Sequence, residues 1–208
     1  MRHWFVVHPD NPQARLLRQA VSIIQNGGIV VYPTDSGYAI GCGLGQKEAV
    51  ERIRRIRQMK QNQYMTLVCR DLANLGEYAS VTTPIFRLLK AFTPGAYTFI
   101  LKASSDLPKM MYHPKRKTIG LRIPNQAVTC ALLETMEGPI MSTTLKLPGI
   151  DYPLSEPQAI ADILGHQVDL ILDVGHCDME PTSVIDLTMD FPKIIRAGKG
   201  DITPFESL

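Results

Sequence analysis

Chemistry concentrates in the stretch Pro33-Thr34-Asp35-Ser36-Gly37-Tyr38, where hydroxyls, a carboxylate and a phenol follow directly on the apolar run Ile29-Val30-Val31-Tyr32. That run is short, rich in β-branched residues and bounded by Gly27-Gly28 and Pro33, the pattern of a fully buried strand. In α/β domains ligands bind beyond the ends of such strands, so Ser36 and Tyr38 stand at the mouth of a candidate site. Cations form a second set: Arg52, Arg54, Arg55, Arg57 and Lys60 on and after one helix, and Lys109, Lys115, Arg116, Lys117 and Arg122 further along. Guanidinium forks pair bidentately with phosphate and carboxylate oxygens. At 3.6 residues per turn the four arginines of the helix cannot share one face, and Arg57, at the helix end, is the one placed to reach a cleft. In Thr118-Ile119-Gly120-Leu121-Arg122, alternation puts Thr118, Gly120 and Arg122 on one strand face and the two aliphatic residues on the other. Ser142-Thr143-Thr144 adds three adjacent hydroxyls.

Other chemistries lack their residues. There is no GxxxxGK[ST], and Gly41-Cys42-Gly43-Leu44-Gly45 is GxGxG rather than GxGxxG, so any nucleotide phosphates must be held by side-chain cations. Neither GxSxG nor HExxH occurs. Cys42, Cys69, Cys130 and Cys177 are scattered without a CxxC pair, which predicts reduced, mostly buried thiols and neither a structural metal nor a disulfide framework.

The elements that must carry these groups follow from periodicity. Asn11-Pro12 is read as the start of a helix, with Leu16, Leu17, Ala20, Ile23 and Ile24 at helical spacing until Gly27. A strand over 29–32 follows, then a helix over 47–58 with Ala49, Val50, Ile53 and Ile56 on one face. The pattern continues as strand 66–69, helix from Thr83-Pro84 to Ala91, strand 97–103, strand 118–123, helix 126–136 and strand 139–145. Residues 146–157 contain three prolines and read as a loop or lid, with Ser155 capping a short helix. Strands near 170–173, 183–187 and 194–196 complete an α/β (α+β) domain with a mixed sheet.

With 208 residues, 45% hydrophobic and 20% charged, one domain over 1–208 is expected, its core spanning about 12–200, with no separate C-terminal domain. No apolar run approaches the roughly 20 residues that span a bilayer, so a cytoplasmic protein is expected. Net charge is only +2 but unevenly placed: beyond residue 150 only Lys193, Arg196 and Lys199 are basic, against eleven Asp and Glu. The basic remainder predicts a cationic face for an anionic partner such as a nucleotide or nucleic acid.

The ordered motifs resemble the YrdC/YciO family, whose best-known members are threonylcarbamoyl-AMP synthases of tRNA modification. Pro33 to Gly41 resembles the family's P-T-[DE]-T-x-Y-G-L-G signature, and Thr93-Pro94-Gly95-Ala96-Tyr97-Thr98 its [WT]-P-G-P-x-T turn. Thr118 to Pro124, Ser142-Thr143-Thr144, Thr182 to Asp186 and Ile195-Arg196-Ala197-Gly198 are similar to further blocks. The resemblance implies a single YrdC-like domain: a twisted sheet with flanking helices and a concave basic cleft. It implies L-threonine, bicarbonate and ATP with Mg2+ as substrates, no tightly bound cofactor, and release of pyrophosphate. By motif position Ser36, Tyr38, Arg70, Arg122, Thr144 and Thr182 would line the threonine side. Arg57, Thr118, Lys146 and Arg196 would face ATP, with Arg57 and Lys146 nearest the chemistry.

Two departures point to the YciO branch. The second cation of the synthases' K-x-R pair is Met59, and their S-x-N is Thr144-Leu145-Lys146. The segment Lys60 to Met65 is also about two residues longer than the resemblance to synthases implies. The first reading is therefore a YciO-like protein that binds a nucleotide or RNA, with weak or altered threonylcarbamoyl-AMP (nucleotidyltransferase) chemistry, as a monomer or weak homodimer. The rival reading is a non-catalytic module for double-stranded RNA or tRNA. In it Arg54, Arg57, Lys115, Arg116, Lys117 and Arg122 contact phosphates by shape.

Overall fold

The computed structural model describes residues 3–60, 63, 65–105, 107, 113, 115–150 and 152–206. Among these residues ten strands form one mixed sheet: β1 (His3–Val6), β2 (Val30–Thr34), β3 (Gly37–Gly43), β4 (Thr66–Val68), β5 (Tyr97–Lys102), β6 (Thr118–Arg122), β7 (Ile140–Thr144), β8 (Leu170–Asp173), β9 (Ser183–Asp186) and β10 (Lys193–Arg196). Their spatial order is β1-β8-β2-β3-β7-β4-β6-β5-β9-β10. Among the described residues seven helices accompany them: α1 (Ala14–Gln25), α2 (Lys47–Ile56), α3 (Leu72–Tyr78), α4 (Thr83–Phe92), α5 (Ala127–Met136), α6 (Pro157–Leu164) and α7 (Thr203–Glu206).

Several boundaries differ from the sequence expectation for local physical reasons. The first helix starts at Ala14 with Gln13 as its N-cap, not at Asn11-Pro12. His8 Nδ1 accepts the backbone N–H groups of Asp10 and Asn11 at 3.2 and 3.1 Å, which closes a turn of its own before the helix can begin. The second strand runs through Pro33 to Thr34 rather than ending at Tyr32. Its parallel partner β8 pairs only with Val30 and Val31, so the missing N–H of Pro33 faces no ladder on that side. Beyond a tight turn at Asp35-Ser36 the chain returns as β3, whose register pairs Thr34 with Gly37 and Val30 with Gly41. The short helix α6 is N-capped by Glu156 rather than Ser155.

The two faces of the sheet are covered unequally. Ile29, Val31, Ile40, Ile119, Leu121, Phe99 and Leu101 belong to the larger core, with α2, α3, α4 and α6 supplying Ile53, Leu75, Leu89 and Ile160. On the opposite face α1 and α5 pack Leu17, Val21, Ile24, Val128 and Leu132 over Val30, Tyr32, Ile140 and Leu172. These two helices cover the β8-β2-β3-β7 side together with Val68 of β4, and the same face of the strands from β4 to β9 lines a hollow.

The connection from β8 to β9 shows the sheet's curvature. These strands are second and ninth in the order, and at about 4.8 Å per strand a flat sheet would hold them roughly 34 Å apart. Residues 174–182 would have to be almost fully extended to reach that far. Instead the strap turns at Gly175 (φ 83°), and Cys177 N–H donates to Ser155 O on the way. The sheet is therefore concave on the face that lines the hollow, with the strap passing over one side of it.

Candidate active site on the concave face

The hollow is a cleft of about 1140 Å³. Its floor is built by strand alternation. On β5, Thr98, Ile100 and Lys102 face it while Phe99 and Leu101 enter the core; on β6, Thr118, Gly120 and Arg122 face it. β4 adds Thr66 and Val68, β7 adds Ser142 and Thr144, and the β9 segment adds Thr182, Val184 and Asp186. Period-two alternation thus turns one sheet face into a strip of hydroxyls. The alternation expected for 118–122 is the one observed. A side chain on Gly120 would meet Thr66 Oγ1 at 3.1 Å, so glycine keeps the floor open between β4 and β6.

At one end lies Arg122, 8% exposed. Its Nη2 is ion-paired with Asp35 Oδ1, and Asp35 Oδ2 accepts the N–H of Asn125 at 2.9 Å. Arg122 Nε is buried and makes no hydrogen bond among the described residues. Burial disfavours its charged form and Arg196 adds repulsion, which pulls the guanidinium down to about 10. It remains cationic at neutral pH. Around it, Thr34 Oγ1 donates to Gly37 O at 2.6 Å and lies 3.2 Å from Ser36 Oγ. Tyr32 O–H donates to Ser142 Oγ at 2.7 Å, and burial pushes the Tyr32 phenol up to about 12. Arg196 donates from Nε and Nη2 to Thr182 O at 3.0 and 2.8 Å, while Thr182 Oγ1 is 2.9 Å from Thr98 Oγ1. Arg196 is oriented by Thr182, and burial lowers its pKa.

Of the residues singled out from sequence, the fold brings Ser36, Tyr38, Arg57, Arg116, Thr118, Arg122, Thr144, Lys146, Thr182 and Arg196 to this cleft. Arg57 has a buried Nε with no hydrogen bond among the described residues, and desolvation lowers its pKa. Tyr38 lines the wall, but its phenol is used structurally, donating to Gly175 O at 2.9 Å and accepting from Val174 N at 3.1 Å.

Arg70 is a correction: it does not line the cleft. It is drawn outward to Asp71 at 2.8 Å, the residue whose carboxylate caps α3 through the N–H of Asn74. Arg54 is also absent from the cleft, because its guanidinium donates to the carbonyls of Lys60 and Gln63. Lys115 and Lys117 are exposed to solvent beside Arg116 and do not line it either. Lys109 lies outside the described residues, as does part of the segment 60–65. Met59 is not in the cleft wall: it is half-buried against the main core.

Sequence reasoning missed Tyr32, Thr98, Lys102, His113, Tyr152 and Asp186, all of which line the cleft. Alternation on β5 was the available signal for Thr98 and Lys102. None existed for His113 or Tyr152, which come from loops. Among the described residues no group of three or more His, Cys, Asp or Glu is arranged to hold a metal ion, and no helix is long and apolar enough to cross a membrane.

A family model for Sua5, YciO and YrdC proteins, described as telomere recombination, matches residues 22–198. The chain belongs to the Sua5/YciO/YrdC family. Within it, the chain is 51% identical over 205 residues to the uncharacterized protein YciO of Escherichia coli (strain K12), covering 99% of this chain and 100% of that protein. The crystal structure of E. coli YciO superposes with a TM-score of 0.95, over 99% of this chain and 100% of the other. A putative threonylcarbamoyl-AMP synthase of Methanocaldococcus jannaschii is 27% identical, covering 89% of this chain and 85% of that protein. P. abyssi Sua5 complexed with L-threonine shares the fold, with a TM-score of 0.85 at 23% identity over 94% of this chain and 57% of the other. The twisted mixed sheet with flanking helices expected from sequence is the family's fold.

Proposed function

We propose that this family member binds ATP and L-threonine together in the concave cleft and carries out an attenuated form of threonylcarbamoyl-AMP synthesis. The observation that carries the reading is the pairing, on one sheet face, of a buried guanidinium whose Nε makes no hydrogen bond among the described residues with a strip of hydroxyls and cations. A carboxylate meeting Arg122 gains charge-assisted hydrogen bonds at a guanidinium that is itself only 8% exposed. The hydroxyls of Ser36, Thr98, Thr144 and Thr182 suit a small polar side chain, and Arg57, Lys146, Thr118 and Arg196 suit phosphate oxygens. The relatives support the same ligands, since one is named a putative threonylcarbamoyl-AMP synthase and another holds L-threonine.

In this reading the threonine amine attacks carbon dioxide derived from bicarbonate and loses a proton to water. A carbamate oxygen then attacks the α-phosphorus of ATP, the bond from that phosphorus to the α–β bridging oxygen breaks, and pyrophosphate leaves with its electron pair. Magnesium enters as part of the nucleotide substrate, on its phosphate oxygens. Catalysis comes from positioning and charge neutralisation. Attenuation follows from the cation set. Met59 contributes no charge to the cleft, and Arg196 already commits two of its nitrogens to Thr182.

The test is threonine- and bicarbonate-dependent release of pyrophosphate from ATP by the purified chain. Slow wild-type turnover, abolished in Arg122→Ala, is the expected result. No release with threonine, bicarbonate and ATP together would overturn the reading. The rival reading, a phosphate-backbone module for duplex RNA or tRNA, loses Arg54 to its carbonyl partners and keeps only the 115–117 corner with Arg57 and Arg122. RNA binding that falls steeply with salt, with no effect of threonine, would restore it.

A further inference from the structure

We propose that the end of the cleft opposite Arg122 is a second anion subsite, formed by Lys102, His113, Arg116 and Thr118, that takes the polyphosphate of a nucleotide. The inference rests on the nucleotide reading above and names residues that the reading does not use for phosphate, apart from Thr118.

The register places these groups side by side. Lys102 is the direct partner of Thr118 in the β5–β6 ladder, and His113 forms an isolated bridge with the same Thr118. The turn between His113 and Thr118 is tightly bonded, with Lys117 N–H donating to His113 O at 2.7 Å and Ala103 N–H donating to Lys117 O at 2.8 Å. Lys117 closes the turn in the left-handed region at φ 52°.

The His113 ring organises the turn from within. Its Nδ1 accepts the N–H groups of Lys115 and Arg116, each at 3.2 Å. The consequence is selective. Of the three consecutive cations Lys115, Arg116 and Lys117, only Arg116 lines the cleft.

The charge of the cleft points to an anion of more than one unit. Among the described residues that line it, Arg57, Lys102, Arg116, Arg122, Lys146 and Arg196 are cationic, and Asp186 is the one carboxylate. Thr118 and Arg122 are four residues apart on β6, which is about 13 Å along the strand. One small anion cannot touch both ends. A ligand with separated anionic groups, such as an amino acid joined in the cleft by a nucleoside triphosphate, can. Lys102 and Arg116 then supply the charge that Met59 does not.

Isothermal titration of the full chain with inorganic tripolyphosphate tests this without turnover. The double variant Lys102→Ala, Arg116→Ala should bind about tenfold more weakly, since each lost charge-assisted contact is partly screened by solvent. The double variant Lys115→Ala, Lys117→Ala removes the same amount of charge from the two neighbours of Arg116 and should stay within about twofold of wild type. Equal weakening in both variants would mean a diffuse field rather than a subsite, and would overturn the proposal, as would no weakening in the first or no binding by wild type. Tripolyphosphate binding with the expected pattern, but no threonine-dependent pyrophosphate release, would leave the subsite standing and remove the synthase reading.

Discussion

Arg122 and Asp35 face each other with side chains only 9% and 11% exposed. Leaving either charge buried alone is the most expensive single change available in the site. Asp35→Ala is expected to destabilise the fold by about 3 to 5 kcal/mol, the usual cost of breaking a buried pair from one side. The double variant Asp35→Ala, Arg122→Ala should cost clearly less than the two single changes added, because no charge is then stranded. Urea unfolding of the four proteins measures this; additive losses would show that the two groups do not interact. A second expectation concerns alkaline pH. Burial raises the Cys42 thiol from the usual 9.0 to about 12, so the folded chain holds that proton more tightly than the unfolded chain. The resulting stability is fully present below pH 9 and declines as pH rises toward 12, by at most about 1.4 kcal/mol per pH unit. Arg122 acts in the opposite sense, because its depressed value lets the folded chain lose its proton first, but only from about pH 10 upward. Between pH 9 and 10 the stability of Cys42→Ala should therefore fall less steeply than that of wild type. Parallel curves would mean that the thiol is not desolvated in the folded state.

The strap 174–182 depends on one phenol. Tyr38 holds both Val174 and Gly175 through its hydroxyl, and a Cβ on Gly37 would lie 2.5 Å from Asp178 O, so the β3 end and the strap are in close backbone contact. Tyr38→Phe should retain the fold but lose about 1 kcal/mol locally. Amide hydrogen exchange across 174–180 should then quicken about fivefold while the central strands remain protected; uniform acceleration would mean that the phenol supports the whole fold instead. The same region shows what was legible in the sequence. Strands and helices with clear periods, such as α1, α2, β5 and β6, were read to within a few residues, and alternation placed Thr118 and Arg122 on the site face. β3 was not read, because Gly37, Gly41 and Gly43 look like loop residues until their neighbours are known. At Gly41 an added Cβ would lie 2.5 Å from Ile140 Cγ2, a close approach of β7 that no local pattern reveals. The same holds for Met59, whose motif position suggested the cleft and whose side chain packs on the core. Arg70 failed for a local reason, the cap of α3 formed by its neighbour Asp71. The Asp35–Arg122 pair is long-range, and no spacing rule connects a hairpin turn to the end of a strand four places away in the sheet.

At the scale of the whole molecule, the uneven charge along the chain becomes spatial. The cationic strands β5 and β6 form the floor, and the acidic last quarter supplies the strap and β9, where Asp178 is tied to Lys199 at 2.6 Å. β9 pairs with β5 in the floor and the strap adds Met179 and Pro181 to the wall, so a ligand that fills the cleft touches residues from both parts of the chain. If ATP and L-threonine occupy this one cleft side by side, each should bind better once the other has ordered the wall they share, and the coupling must be reciprocal. A ligand at a hundred times its dissociation constant stabilises the folded state by about 2.7 kcal/mol, which for a domain of this size raises the melting temperature by roughly 5 to 10 °C. Melting curves with ATP alone, L-threonine alone and both together should therefore show a combined shift larger than the sum of the separate ones. A strictly additive shift would place the two ligands in independent sites. No shift with threonine under any condition would leave the Arg122 end to a different carboxylate, to be sought by the same measurement across the other amino acids.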